Sequence, residues 1–181
     1  MAKVVIDALV ERFRDPVQGD GVTGAYIGAG GDDAAFVTRE RLVEVCQFLR
    51  DDPAMQFNMA PYITAVDYLG QEPRFEVVYN LVSTTLNQRV RLRVKVSEQD
   101  PVLPSVCAIW RGANWFERYC FDMYGISFTG HPDHRRLYMY DEFVGHPLRK
   151  DYPLRGRQPL VTELEVPEEQ FRGPGPARRS E

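Results

Sequence analysis

The chain is short of the residues on which most cofactor proteins and membrane proteins depend. Its three cysteines, Cys46, Cys107 and Cys120, are odd in number, far apart and never in a Cys-x-x-Cys pair. That pattern indicates neither a disulfide framework nor a cysteine-rich cluster site. No apolar run approaches the ~20 residues of a membrane span. Neither charge sign dominates: 22 basic against 26 acidic residues give a net charge of -4, so there is no global attraction to nucleic acid. A Gly-x-Ser-x-Gly elbow and a Gly-Lys-Ser/Thr phosphate loop are both missing. The opening Met1-Ala2-Lys3-Val4-Val5-Ile6-Asp7 breaks its apolar run at Asp7 and lacks a small-residue cleavage site, so a secretory signal is not expected. The expectation is a cytosol-like compartment, with membrane association made only through partners.

What is present is enough for one core. A hydrophobic content of 44% over 181 residues is ordinary for a globular chain. Val5, Ile6, Leu9 and Phe13 recur at helical spacing, and Asp15-Pro16 ends that helix. Val22–Ile27 and Ala34–Val37 flank Gly28-Ala29-Gly30-Gly31-Asp32-Asp33 as a β-hairpin. Thr38 can cap a second helix carrying Leu42, Val45, Cys46 and Leu49. Strand-like segments follow at Tyr62–Leu69, Phe75–Val82 and Gln88–Val96. The last alternates most cleanly: Val90, Leu92, Val94 and Val96 point one way, and Arg89, Arg91, Arg93 and Lys95 the other. Pro104 opens a short predicted helix, Ser105–Trp110, and Asn114 with Glu117 forms a capping box for another that stops at Gly125. The fold class is α+β: an antiparallel or mixed sheet with helices on one side.

From Ile126 to Pro159 the apolar residues have no period, and Pro132, Pro147, Pro153 and Pro159 interrupt any ladder. Yet the stretch holds Phe128, Leu137, Tyr138, Met139, Tyr140, Phe143, Val144, Leu148, Tyr152 and Leu154, too much apolar surface for a solvated tail. It reads as a long extended C-terminal arm that gets its structure by lying on another protein. The expected division is an α+β domain over 1–125, a partner-docking arm over 126–160 and a flexible tail over 161–181.

Chemical alternatives are weak. In Gly28-Ala29-Gly30-Gly31, Asp32 and Asp33 follow directly and would repel phosphate, so a hairpin turn is the default. The chain's histidines, His131, His134 and His146, all lie in the arm. With Cys120 or Asp133 they offer zinc ligands, but nothing regular fixes their geometry; bonding to backbone in turns is the plainer reading. Cys107 and Cys120 read as small buried hydrophobes rather than nucleophiles. The row Arg89, Arg91, Arg93, Lys95 lacks the interleaved aromatics of an RNA-binding sheet. The dense aromatic set Trp110, Trp115, Phe116, Tyr119, Phe121 and Tyr124 exceeds what one short helix can bury, so part of it faces an interface.

Three segments carry a resemblance. They are Trp110-x4-Trp115-x-Glu117-Arg118, then Asp122-Met123-Tyr124-Gly125-Ile126-x-Phe128-x-Gly130-His131-Pro132-Asp133-x-Arg135-Arg136, then Gly145-His146-Pro147-Leu148-Arg149-Lys150-Asp151-Tyr152-Pro153. Together with Val66-Asp67-Tyr68 they resemble the C-subunit family of NADH:quinone oxidoreductase, respiratory complex I, also called the 30 kDa subunit family. One departure is Tyr119, where the family usually has an acidic residue; that role in the turn would fall to Glu117 and Asp122. The resemblance implies a non-catalytic structural subunit of the hydrophilic peripheral arm. It would support electron transfer from NADH to quinone coupled to proton translocation. It implies no catalytic, cofactor or metal residues here, with FMN, iron–sulfur clusters and quinone on partner subunits. The implied partners are the D subunit at the quinone site and the B subunit with the terminal cluster. Nucleic acid is not among them, and the place is peripheral, on the cytoplasmic side of the inner or plasma membrane. The expected partner-binding residues are Glu117, Arg118, Asp122, His131, Arg135, Arg136, His146, Leu148, Arg149, Lys150 and Asp151. Of these, Arg135, Arg136, Arg149 and Lys150 are expected to bond partner carboxylates or carbonyls. Two alternatives remain: the equivalent module of an energy-converting membrane-bound hydrogenase or related quinone reductase, and a stand-alone metal-dependent enzyme using the arm histidines.

Overall fold

A computed structural model describes residues 2–13, 22–27, 33–155 and 158. The elements run α1 (Ala2–Phe13), β1 (Val22–Ile27), β2 (Asp33–Val37), a 3-10 turn (Arg39–Arg41), α2 (Leu42–Asp51), β3 (Met59–Asp67), β4 (Phe75–Ser83), β5 (Gln88–Val96), β6 (Val102–Pro104), α3 (Ala113–Tyr124) and β7 (Ser127–Thr129). The main sheet has five strands in the order β1-β2-β5-β4-β3. All its pairs are antiparallel except β2 with β5, which makes the sheet mixed.

Register explains the core. Ile63, Tyr79 and Leu92 stand side by side, as do Ala65, Val77 and Val94. With two-residue alternation these side chains share one face, and they join one core with Val5, Leu9 and Phe13 of α1 and Leu42, Val45, Cys46 and Leu49 of α2. Ala113 and Cys120 of α3 complete it. Tyr62, Asn80 and Arg91 occupy the next register row and so face the other way. The fold class, the hairpin pair, α1, α2, the three long strands and the glycine stop at Gly125 agree with the sequence reading, but Thr38 does not cap α2: it precedes the 3-10 turn, its side chain makes no capping bond, and Arg41 holds the N-cap position. The hairpin's turn, the end of α1 and the tail over 161–181 lie outside the described residues.

Three local expectations are corrected. Ser105–Trp110 is not a helix. Val102–Pro104 instead forms β6, which pairs in parallel with β7, and hydrogen-bonded turns follow (Ile109 N–H to Val106 O, Trp110 N–H to Val106 O). The arm therefore contains a strand, β7, too short to show a period. Asn114 does not cap α3, which begins at Ala113 with Gly112 at its N-cap. Glu117 does not reach back to a first-turn amide. It turns into the core, where its carboxylate accepts bonds from Ser105 Oγ (2.6 Å) and Val106 N–H (2.8 Å).

Candidate functional site

The three motif segments converge on one end of α3. A helix leaves its last carbonyls without partners inside the helix, and here the arm supplies them. His146 Nδ1 bonds Asp122 O at 3.0 Å, Leu148 N–H donates to Met123 O at 3.1 Å, and Arg149 Nε donates to Tyr124 O at 2.6 Å. Gly125 makes the approach possible: its φ is +77°, and a Cβ there would stand 2.5 Å from His146 Nε2 and 2.6 Å from an Arg149 guanidinium nitrogen.

The Asp122 side chain organises the other half of the arm. One carboxylate oxygen accepts the amides of Leu137, Tyr138 and Met139 (3.1, 2.7 and 2.9 Å), and the other takes Arg136 at 2.8 Å. Arg136 also donates to Phe143 O at 2.9 Å. Arg118, one turn before Asp122 on α3, donates to the carbonyls of Arg135 and Arg136 (3.0 and 2.9 Å) and lies over the Trp115 ring. Burial pushes the Asp122 carboxyl up; the amides of Met139 and Tyr138, the Arg136 guanidinium and the Leu137 amide outweigh it and hold the group below the usual range.

A third anchor ties the arm to the sheet. Asp67, buried on the core face at the end of β3, takes a bidentate pair of bonds from Arg74, both 2.9 Å, and the Lys150 amide at 2.8 Å. Arg74 also bonds Asp151 (2.7 and 3.1 Å) and Glu98 (2.6 Å). Bonding to Arg74 is the main reason that both Asp67 and Asp151 sit below the ordinary carboxylate range. Two guanidinium groups, of Arg74 and Arg149, each lie 5.0 Å from the centre of the Phe75 ring.

The histidines do not converge on a shared ion site. His131 Nδ1 accepts the Asp133 amide at 3.0 Å, so Nε2 carries the proton and donates to Asn114 O. His134 Nε2 accepts the Phe128 amide at 3.1 Å. Burial, then the neighbouring His131, holds His134 below the ordinary imidazole value; burial does the same for His146, helped by Arg149 and Arg136. A different trio, Cys107, Glu117 and His131, does bring its possible ligand atoms within 4.8 Å of one another. In this structure its groups bond one another and the backbone. The Cys107 thiol donates to Glu117 and is pushed up to about 12, chiefly by burial, and the His131 nitrogen that faces Glu117 is a donor already used on Asn114.

Of the expected partner-binding residues, Glu117, Arg118, Asp122, His131, Arg136, His146 and Arg149 thus have their polar groups turned inward. Arg135 is exposed and pairs with Asp133 at 2.9 Å. Lys150 and Asp151 are exposed at their tips but fixed through the Asp67–Arg74 anchor. The arm's order therefore comes from its own α3 and β3, a narrower result than an arm that takes its structure from another protein. Ile126 and Phe128 join the core, but other apolar side chains of the arm face outward: Tyr138 is 67%, Val144 70%, Leu148 44% and Leu154 98% exposed. Beside them Trp115, 59% exposed, borders an open groove of about 450 Å³ with Tyr62, Phe116, Tyr119 and Tyr138. Sequence reading missed Asp67–Arg74 as a site. The available signal was a lone carboxylate in phase with Ile63 and Ala65, on the core side of its strand.

Residues 35–158 match the family described as respiratory-chain NADH dehydrogenase, 30 Kd subunit. The NADH-quinone oxidoreductase C subunit of Roseiflexus sp. (strain RS-1) is 51% identical over 132 residues, covering 73% of this chain and 76% of the relative. The C 2 subunit of the same enzyme from Rhizobium etli (strain CIAT 652) is 48% identical over 148 residues, 82% of this chain and 75% of the relative. Among solved structures, the trypsin-resistant fragment (1-134) of Nqo5 superposes with a TM-score of 0.61 at 34% identity, covering 71% of this chain and 98% of that one. A chain of the archaeal membrane-bound sulfane sulfur reductase shares the fold, with a TM-score of 0.68 at 19% identity over 84% of this chain and 86% of that one. The match over residues 35–158 includes β3 to β7, α2, α3 and all three arm anchors, and on it the chain belongs to the family of the 30 Kd subunit of respiratory-chain NADH dehydrogenase.

Proposed function

We propose that the chain is a non-catalytic structural subunit of the peripheral arm of an NADH:quinone oxidoreductase. In this reading it supports the quinone-site D subunit and the cluster-bearing B subunit while FMN, iron–sulfur clusters and quinone reside on partners. It sits on the cytoplasmic face of the membrane and reaches the membrane only through the complex. One observation carries the reading: polar anchors tie the arm's backbone to α3 and β3 while Tyr138, Val144, Leu148 and Leu154 project outward. A catalytic site converges titratable groups on a cavity; here Asp122, His131, His134 and His146 bond backbone, and Asp67, Arg74 and Asp151 bond one another. Labour is then divided within the expected partner-binding set. Glu117, Arg118, Asp122, His131, Arg136, His146, Arg149 and Asp151 shape the docking surface, and Leu148, Arg135 and Lys150, joined by Tyr138 and Val144, touch the partner.

The same module in an energy-converting reductase of another kind is the second reading, favoured by the shared fold with the archaeal complex. Affinity purification of the tagged chain from solubilised membranes separates the two through the subunits that accompany it. Tyr138→Glu/Leu148→Glu, changed only at exposed positions, should keep the melting temperature and lose the D and B subunits. Normal recovery of both subunits with that variant refutes the docking role.

A further inference from the structure

The aromatic groove beside α3 has no cover among the described residues. Tyr62 and Thr64 of β3, Trp115, Phe116 and Tyr119 of α3, and Tyr138 of the arm line it. β3 is the last strand on its side of the main sheet, so the groove is bounded by a sheet edge and a helix. Extended segments dock in grooves of this kind, with alternate side chains filling the pockets. Trp115, Tyr62 and Tyr138 are 59%, 47% and 67% exposed. Bare rings gathered around one groove make the contiguous apolar surface that a monomer rarely leaves in water.

The chain's own sequence supplies a segment of matching pattern. After Gln158, two prolines, Pro159 and Pro167, bracket Leu160-Val161-Thr162-Glu163-Leu164-Glu165-Val166. In extended conformation Leu160, Thr162, Leu164 and Val166 share one face, and Val161, Glu163 and Glu165 the other. A residue before proline favours extended backbone, which applies to Gln158 and Val166 at the two ends. The start of the segment is placed as well. Gln158 Nε2 donates to Val144 O at 2.9 Å and to the Tyr152 hydroxyl at 2.7 Å, and its Oε1 accepts the Val144 amide. The carbonyls flanking Val144, those of Phe143 and Gly145, accept bonds from Arg136. Arg136 in turn precedes Leu137 and Tyr138, both of which line the groove. Leu164 and Val166 lie six and eight residues past Gln158. Extended chain of that length reaches roughly 20–26 Å, enough to cross from Val144 past Arg136 into the groove.

We propose that the groove beside α3 is an intramolecular site for the chain's own residues 160–166, which seat Leu164 and Val166 among Tyr62, Trp115, Tyr119 and Tyr138 and leave Glu163 and Glu165 in water. Tethering favours this occupant over a separate chain. A short linker presents the segment at an effective concentration on the order of mM, so a contact too weak to hold a free peptide stays closed. The site belongs to the chain before assembly and stands apart from the docking reading, which concerns the complex.

The test uses the full chain and the peptide acetyl-Leu-Val-Thr-Glu-Leu-Glu-Val-amide, which copies residues 160–166. In the isotope-labelled parent, the Leu164 and Val166 methyl protons should show cross-relaxation with the Trp115 and Tyr62 rings, at a strength independent of protein concentration. Leu164→Glu/Val166→Glu should abolish those contacts and open the groove, with the core methyl signals of β4 and β5 unchanged. The peptide should then bind the variant at least about tenfold more tightly than the parent, whose own segment competes for the site. Trp115 fluorescence reads that binding, because Trp110, the chain's other tryptophan, is buried. Absence of the methyl–ring contacts, or a peptide that binds both chains alike or neither, overturns the site. Contacts that grow with protein concentration assign the groove to a second copy. A photo-crosslinker at position 115 that captures another subunit in the complex, while the free chain shows no contacts, assigns it to a partner. Either result overturns the proposal, and neither touches the recovery of the D and B subunits on which the docking reading is tested.

Discussion

Asp122 shows how one carboxylate can order a segment that has no secondary structure. It accepts three consecutive backbone amides and an arginine from a position with no solvent exposure. Its folded pKa lies below the ordinary value, so it contributes stability that is present above the unfolded pKa of ~3.9 and is lost as pH falls through the folded value. Glu117 acts in the opposite sense: burial raises it, so its contribution to stability improves as pH falls through its raised pKa toward the unfolded one. Global melting would therefore blur the two, and local amides resolve them. Hydrogen exchange at Leu137, Tyr138 and Met139, corrected for intrinsic rates, should stay slow at neutral pH and lose protection below about pH 4. Asp122→Asn removes the buried anion from partly exposed Arg136 at a cost of up to roughly 3–5 kcal/mol. It should expose those amides at neutral pH and erase the acid step. An unchanged acid step in the variant would assign the anchoring to another group.

At the scale of elements, the junction of α3 with the arm depends on a glycine for two separable reasons. Gly125 has a left-handed φ, and its missing Cβ leaves room for His146 and Arg149. Gly130 has a similar φ of +80° with nothing within 4 Å of a built Cβ. Gly130→Ala should therefore cost only the backbone term, roughly 1–2 kcal/mol. Gly125→Ala should cost that and also displace the two side chains that cap the helix, which denaturant unfolding of the pair measures. Equal losses would mean that the close approach carries no energy. The same junction shows what was legible in the sequence. α1, α2 and β5 could be read because burial on one face imposes a period, as in Leu42, Val45, Cys46 and Leu49. The glycine stop could be read because few residues tolerate that φ. The caps of α3 could not, because His146, Leu148 and Arg149 meet carbonyls about 25 residues earlier in the chain, a relation that no local pattern encodes. Glu117 was misread for a related reason: at the start of a helix, a carboxylate that caps and one that turns into the core have the same local sequence. In the arm, the motifs led to the expectation that Arg136 and Arg149 bond a partner, whereas they bond the chain's own Asp122, Phe143 and Tyr124, again across a distance in sequence that no local pattern encodes.

On the scale of the whole molecule, Arg74 decides whether domain and arm behave as one body. Its guanidinium is buried and joins β3 through Asp67, the segment after β5 through Glu98, and the arm through Asp151. Asp67 in turn holds the arm's backbone at Lys150. The strength resides in the Asp67 pair, since both of its members are buried, while Glu98 and Asp151 are half exposed and screened by solvent. Arg74→Met leaves the Asp67 charge buried without its partner, a change expected to cost roughly 3–5 kcal/mol. Adding Asp67→Asn removes that stranded charge, so the double variant should be less destabilised than the sum of the two single changes. The structural consequence differs from the energetic one. In the parent chain the arm and the sheet should unfold in one transition, reported alike by exchange at the Lys150 amide and by the core amides of β4. In Arg74→Met the Lys150 amide should exchange by a separate, earlier opening, because the Asp122 clamp still holds residues 137–139 while the far end of the arm is released. Coincident exchange of both sets in the variant would show that the sheet anchor is dispensable and that the helix caps alone make the arm part of the domain.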